Sequence, residues 1–264
     1  AIALGGLLFG AGMVLTRGCV SRLTVLSASG NLRAVFVLIV FAIVAHATLK
    51  GVLAPVRTAL GSATVDLGLT SLADLPGGAL VWSFVIALSA GAVVVRSGNR
   101  PMVLLGAVVL GLLVPLGWVG TGFVLYDDFD PVAMESLSFT APWADTLFFV
   151  VASTAIPAGF GSGLVAGVLG GAFVSAAVFG RLEWVSFTSP RETGRYALGA
   201  AFMGLGGVLA GGCTVGAGLA GVPSLSVAAI LALAAIAAGA LAMNKVFGTS
   251  ARPRSLHGSM HPAE

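Results

Sequence analysis

Cys19 and Cys213 are the only thiols in the chain, and both close the same pattern. Residues 5–19 and 199–213 each read G-x-x-x-x-G-x-G-x-V-L-x-x-G-C, at a constant offset of 194 positions. Gly5, Gly10, Gly12, Val14, Leu15 and Gly18 correspond in turn to Gly199, Gly204, Gly206, Val208, Leu209 and Gly212. With 38 Gly in the chain some coincidence is expected, but a pattern that takes in both cysteines marks an internal repeat. A lone Cys in an apolar stretch usually packs as a small hydrophobe. Two at matching places in a repeat point to function. No C-x-x-C is present, so dithiol chemistry within one motif is out. The other redox option is a disulfide made and broken between Cys19 and Cys213.

Polar groups gather around both thiols. Thr16, Ser21, Thr24, Ser27 and Ser29 accompany Cys19, and Thr214, Ser224 and Ser226 accompany Cys213. Gly211, Gly212, Gly216, Gly218 and Gly221 form a run too dense for a quiet helix, so unwound backbone is expected beside Cys213. Pro223 with Ser224 and Ser226, and Ser29 with Asn31, read as helix starts. Such ends offer backbone N–H groups and positive dipole ends to an anion. Arg17, Arg22 and Arg33 flank Cys19 and suit either a positive entrance for an anion or contact with lipid headgroups. His46 lies in an apolar run, as a proton relay or as packing. His257 and His261 have metal-clamp spacing but sit in a polar tail, so no metal site and no cofactor are expected. No Walker motif, paired catalytic carboxylates or Ser–His–Asp set is present, which argues against an enzyme, and no feature points to nucleic acid.

The elements that must position these residues are membrane helices. Of 264 residues, 58% are hydrophobic and only 9% charged, against about 25% in soluble domains. No Asp, Glu, Lys or Arg occurs in 1–16, 34–49, 75–95, 101–126, 146–180 or 196–244. About 20 apolar residues cross a bilayer as a helix. Stretch 196–244 would run about 74 Å as one helix, so it must fold into two legs. Pro157 and Gly159 divide 146–180 into a short piece and a span. Stretches such as 225–243 are apolar all round, unlike the alternating strands of a barrel. Trp82, Trp118, Trp143 and Trp184 fit interfacial or packing positions.

Lys and Arg accumulate on cytoplasmic loops. Arg96 and Arg100, the group Arg181, Arg191 and Arg195, and the tail residues Lys245, Arg252 and Arg254 are therefore placed inside. Stretch 127–145 carries Asp127, Asp128, Asp130, Glu135 and Asp145 with no cation and is placed outside. The second Cys unit is then entered from inside and the first from outside, although Lys50 and Arg57 on the outside run against the rule. The expected fold is an all-α polytopic membrane protein. Its repeats are inverted and pseudo-symmetric, with short re-entrant half-helices meeting near the membrane centre. A single transmembrane domain covers 1–246, with repeat 1 at about 1–95, repeat 2 at about 146–246 and a cytoplasmic tail at 247–264. The second unit begins near Ile156, whose counterpart falls before Ala1, so a further apolar segment is expected upstream.

The stretch Gly10 to Arg33, with R-G-C and then S-G-N-L-R, resembles the first signature of the YeeE/YedE family of sulfur-compound transporters. The stretch Ser189 to Gly221 resembles its second signature, and Leu116 to Gly122 (L-G-W-V-G-T-G) also fits. The resemblance implies uptake of thiosulfate, or a related small sulfur oxyanion, into the bacterial cytoplasm across the inner membrane for sulfur assimilation. It implies an hourglass of inward-dipping short helices whose thiols pass the ligand by S–H···S hydrogen bonds without covalent change. Carried over, Cys19 and Cys213 become two relay points. With Gly18, Gly212, Thr214, Gly216, Gly218, Arg17 and Arg22 they line the expected pathway. A further Cys that some members carry between the motifs is absent here, so a three-thiol relay would need another residue at one station. Some relatives are linked to selenium metabolism, and some associate with a small cytoplasmic sulfur-carrier protein.

Overall fold

The computed structural model describes residues 1–62, 70–124, 134–154 and 157–248. Asp127, Asp128, Asp130, Ile156, Arg252, Arg254, His257 and His261 lie outside the described residues. The described residues form helices, with no strand and two isolated bridges, Asn31 to Val185 and Ser71 to Ser226. The helices are α1 (Ile2–Thr16), α2 (Val20–Ala28), α3 (Leu32–Lys50), α4 (Ala54–Ser62), α5 (Gly78–Arg96), α6 (Pro101–Val119), α7 (Thr140–Val151), α8 (Phe160–Val178), α9 (Pro190–Leu209) and α10 (Val227–Gly248). Six segments are long and apolar enough to cross a membrane: Ile2–Ala28, α3, α5, Pro101–Val124, α8 and Val227–Phe247.

The breaks follow the local chemistry. Asn31 starts α3 by accepting from the N–H of Ala34, and Ser226 starts α10 by accepting from the N–H of Ala229. The 146–180 stretch divides as the prolines and glycines suggest, α7 ending at Val151 and α8 beginning after Gly159. The glycine run is unwound beside Cys213, as expected, but only on its N-terminal side. Residues 210–213 are non-helical, and residues 214–221 are wound, the Gly216–Gly221 part as a π-helix. The wider turn keeps backbone hydrogen bonds that an unwound chain at membrane depth would leave unmet.

The centre of the molecule is a seam of glycine. α1 runs antiparallel to α9: Gly12 lies against Gly199 and Met203, while Gly5 lies against Leu209 and Ala210. α1 runs parallel to α10, Gly6 meeting Ala232 and Ala235 and Gly10 meeting Ile236 and Ala240. α3 runs parallel to α9, with Arg33 paired to Glu192 at one end and Gly204 against Phe41, Val44 and Ala45 further along. Small residues let membrane helices approach this closely.

The contacts come in exchanged pairs. A carbon added at Gly12 would fall 2.6 Å from the carbonyl oxygen of Gly199, and one added at Gly206 would fall 2.6 Å from that of Gly5. Gly12 and Gly206, like Gly5 and Gly199, are mates under the 194-residue offset. Gly10 meets the oxygen of Ile236 and the nitrogen of Ala240, and its mate Gly204 meets the oxygen of Phe41 and the nitrogen of Ala45, one residue away from the places that the 194-residue offset gives. Residue i touching j while the mate of j touches the mate of i is the contact pattern of a two-fold axis.

Candidate functional site

Both cysteines sit at the same kind of joint. At the end of α1, Arg17 adopts a left-handed backbone (φ 60°), its N–H bonding the oxygen of Val14 while that of Gly18 bonds the oxygen of Met13. At the end of α9, Gly211 is left-handed (φ 76°), its N–H bonding Val208 and that of Gly212 bonding Gly207. The two sets of residues are mates at 194 positions, so each helix ends in the same Schellman turn. The following residue is Cys19 or Cys213, and each carbonyl accepts the first bond of a new short helix, from Leu23 and from Ala217. Both cysteines therefore stand at helix N-termini, and only the Cys213 sulfur bonds a backbone N–H of the helix that follows. The Cys213 sulfur, 1% exposed, accepts from the N–H of Gly216 at 3.5 Å. The Cys19 sulfur lies 3.0 Å from the Ser21 hydroxyl.

The joints differ in one informative place. Arg17 occupies the left-handed position that Gly211 fills in the other copy. A side chain there costs about 1 kcal/mol relative to Gly. Arg17→Gly is therefore expected to raise stability by about 1 kcal/mol, measured as thermal unfolding in detergent. Arg17 is exposed, and its carbonyl accepts from Arg22 Nη1 at 3.4 Å. Arg33, grouped with these two by sequence, is committed elsewhere. Its Nη1 is 2.7 Å from Glu192 and its Nε donates to the oxygen of Ser186. It ties α3 to α9, leaving Arg17 and Arg22 as the cations beside Cys19.

The thiols lie at opposite ends of the α1–α9 pair and are both free. Thr16 packs on Gly199, and from Gly199 to Leu209 the α9 axis advances about 15 Å. A disulfide needs Cα atoms within about 7 Å, so the arrangement does not pair them.

Two clefts open at the Cys213 end. One, of about 560 Å³, is lined by Trp118, Ser136, Ser138, Gly211, Gly216 and Ser224 among others, reaching the backbone on both sides of Cys213. The other, of about 400 Å³, shares Ser136 and Ser138 and carries Lys50, Glu135 and Asp145. Partial desolvation, and then the charge of Asp145, hold the Glu135 carboxyl above its ordinary range. His46 stacks on Phe148 at 3.7 Å, and its Nδ1 has no partner among the described residues.

Sequence reasoning expected a short piece after Asp145, and the structure begins it earlier, at Thr140, as α7. This 12-residue helix lies between the two thiol units. Ser138, just before it, approaches Gly216; Thr140 packs on Gly207; and Trp143 Nε1 donates to Thr24 on α2 at 2.8 Å. Its start shows in the sequence only as the polar run Ser136, Ser138 and Thr140 ahead of that short piece. Thr214, Gly216 and Gly218 stand in the wound segment after Cys213, and Gly18 and Gly212 in the two Schellman turns.

Apolar helices on every side and a glycine-packed centre define a multi-pass helical membrane protein. The chain belongs to the sulphur transport family, whose model matches residues 1–242. Over 116 residues, 43% of this chain, it is 34% identical to the thiosulfate transporter TsuA of Escherichia coli (strain K12), of which the match spans 30%. Over 246 residues, 87% of this chain, it is 26% identical to the thiosulfate transporter TsuA of Spirochaeta thermophila, spanning 72% of that protein.

Proposed function

We propose that the chain carries thiosulfate, or a closely related sulfur oxyanion, across the bacterial inner membrane, without covalent change and without acting as an enzyme. The observation that carries the reading is the matched pair of joints. In a sulphur transport protein, each of the two cysteines stands at the N-terminus of a short helix after the same left-handed turn. A dianion leaving water pays several kcal/mol per charge even after relaxation. Helix N-termini, glycine N–H groups and soft thiol donors repay part of that cost without trapping the ion. The ligand enters through the serine-lined clefts, meets Cys213 with Gly212, Thr214, Gly216 and Gly218, and leaves past Cys19, Gly18, Arg17 and Arg22. The exchanged contacts support an inverted repeat within one transmembrane domain, 1–246, with a tail from 247. The cationic end, with Arg17, Arg22, Arg181, Arg191 and Arg195, faces the cytoplasm, as does the C-terminus. A small sulfur-carrier protein would dock at that face.

Growth on thiosulfate as sole sulfur source, in a bacterium lacking its own uptake systems, tests the reading. Rescue by this chain supports it; absence of rescue at normal membrane abundance contradicts it. A pH dependence follows from Glu135. Because its pKa is raised, it takes up a proton at a higher pH than a free carboxylate, and the outer cleft becomes less negative as pH falls. Uptake at low substrate is expected to rise as the external pH drops from about 7 to about 5. Glu135→Gln should give the faster rate at both values. The alternative of a thiol-redox protein is disfavoured by the free, distant cysteines.

A further inference from the structure

A third cleft, of about 460 Å³, shares no residue with the two at the Cys213 end. Leu38, Ile39, Trp143, Gly170 and Phe173 line it, with Ser27 from the end of α2. Its polar groups are already paired: the Trp143 indole N–H donates to the Thr24 hydroxyl, and the Ser27 hydroxyl donates to the Thr24 backbone oxygen. Water would find nothing to bond there, and a cavity without polar partners stays dry. Ile39, Gly170 and Phe173 are exposed, so the cleft opens outward between α3 and α8. Glycine keeps that wall open, because a carbon added at Gly170 meets nothing within 4 Å. From Gly170 to the end of α8 at Val178 the helix rises about 12 Å. One leaflet's hydrocarbon is about 15 Å deep. The cleft therefore lies at the depth of an acyl chain whose headgroup sits at the end of α8.

The chain just beyond α8 suits that headgroup. Phe179, Leu182 and Trp184 are exposed there, and aromatic side chains favour the membrane–water interface. The Glu183 N–H bonds the oxygen of Ser29, which fixes this segment beside the end of α2 that lines the cleft. Among these side chains stand two exposed charges of opposite sign, Arg181 and Glu183. They do not pair with each other, and the nearby Arg33 is held by Glu192. The Arg181 guanidinium lies over the Phe179 ring at 5.9 Å. A cation and a carboxylate two residues apart complement a zwitterion, whereas a headgroup of net negative charge would meet the Glu183 carboxylate. A carboxylate accepts hydrogen bonds, which favours an ammonium that carries N–H. We propose that this cleft and the loop above it bind one phospholipid whose headgroup combines a phosphate with a primary ammonium. One acyl chain lies in the cleft, the phosphate accepts from Arg181, and the ammonium donates to Glu183.

Native mass spectrometry of the delipidated protein tests the site, with phosphatidylethanolamine, phosphatidylcholine and phosphatidylglycerol of identical acyl chains titrated separately. The expected result is one phosphatidylethanolamine held about tenfold more tightly than either of the others. Gly170→Leu fills the cleft and is expected to abolish that retention at an unchanged melting temperature. Glu183→Gln, a change on the surface, is expected to bring phosphatidylethanolamine down to the level of phosphatidylcholine. Equal retention of the three lipids by the wild type, or a preference for phosphatidylglycerol, would overturn the site. So would undiminished retention by a folded Gly170→Leu. If Gly170→Leu does not fold, Glu183→Gln decides alone: discrimination between the ethanolamine and choline lipids that survives it overturns the site, and discrimination lost with it supports the site.

Discussion

Gly206→Leu will yield no folded protein, and Gly206→Ala will lose about 3 kcal/mol, at the upper end of the cost of overpacking. A carbon added at Gly206 falls 2.5 Å from the nitrogen of Phe9 and 2.6 Å from the oxygen of Gly5. These are backbone atoms of α1 and cannot rotate aside, so α1 and α9 must move apart. α1 is simultaneously held on α10 through Gly6 and Gly10, and α9 on α3 through Gly204. A shift at one contact therefore propagates to all three. Gly10, whose added carbon would overlap the oxygen of Ile236, should be equally intolerant. The control is Gly167→Ala on α8, where an added carbon meets nothing within 4 Å. Its better helix propensity should leave stability unchanged or raise it by about 0.5–1 kcal/mol. Size-exclusion profiles and melting curves in detergent distinguish the two classes. A well-folded Gly206→Leu would refute the seam.

Cys213→Ala will cut thiosulfate uptake at least tenfold while leaving a folded protein. The sulfur accepts one long bond, from Gly216, and is otherwise packed among apolar neighbours, so losing it removes little stability. Removing a donor from a dianion in a dry setting costs about 1.5–3 kcal/mol, or one to two orders of magnitude in rate or affinity. Cys213→Ser sharpens the test. Serine is a better N-cap and should hold the following helix at least as well. If softness of the donor matters, the serine variant transports between alanine and wild type; if any donor suffices, it matches wild type. Uptake by Cys213→Ala at the wild-type rate would remove the thiol from the pathway.

Much of this fold was legible because its constraints are local or periodic. Charge-free stretches gave the spans, Asn31 and Ser226 gave helix starts, and the fifteen-residue pattern marked the helices that pack on each other. The glycines of that pattern are the contact residues themselves. Other features depend on three-dimensional neighbours. Arg33 reads, with Arg17 and Arg22, as a positive entrance or a lipid-headgroup contact until Glu192, 159 residues away, is found against it. Arg17 reads as a charge, and only its alignment with Gly211 exposes the left-handed backbone. The glycine run after Cys213 looked unwound because propensity counts against Gly in helices; packing on α10, where Gly221 meets Ala229, winds it nonetheless. The short piece ahead of Pro157 was legible, but its start at Thr140 was not, because the charge of Asp145 reads as a boundary that α7 runs through.

The most direct measurement is the flux of labelled thiosulfate through purified protein in liposomes, with sulfate and sulfite as competitors. The account predicts saturable flux by the protein alone that depends on both Cys19 and Cys213. No flux above that of empty liposomes, from protein shown to be folded, would contradict it.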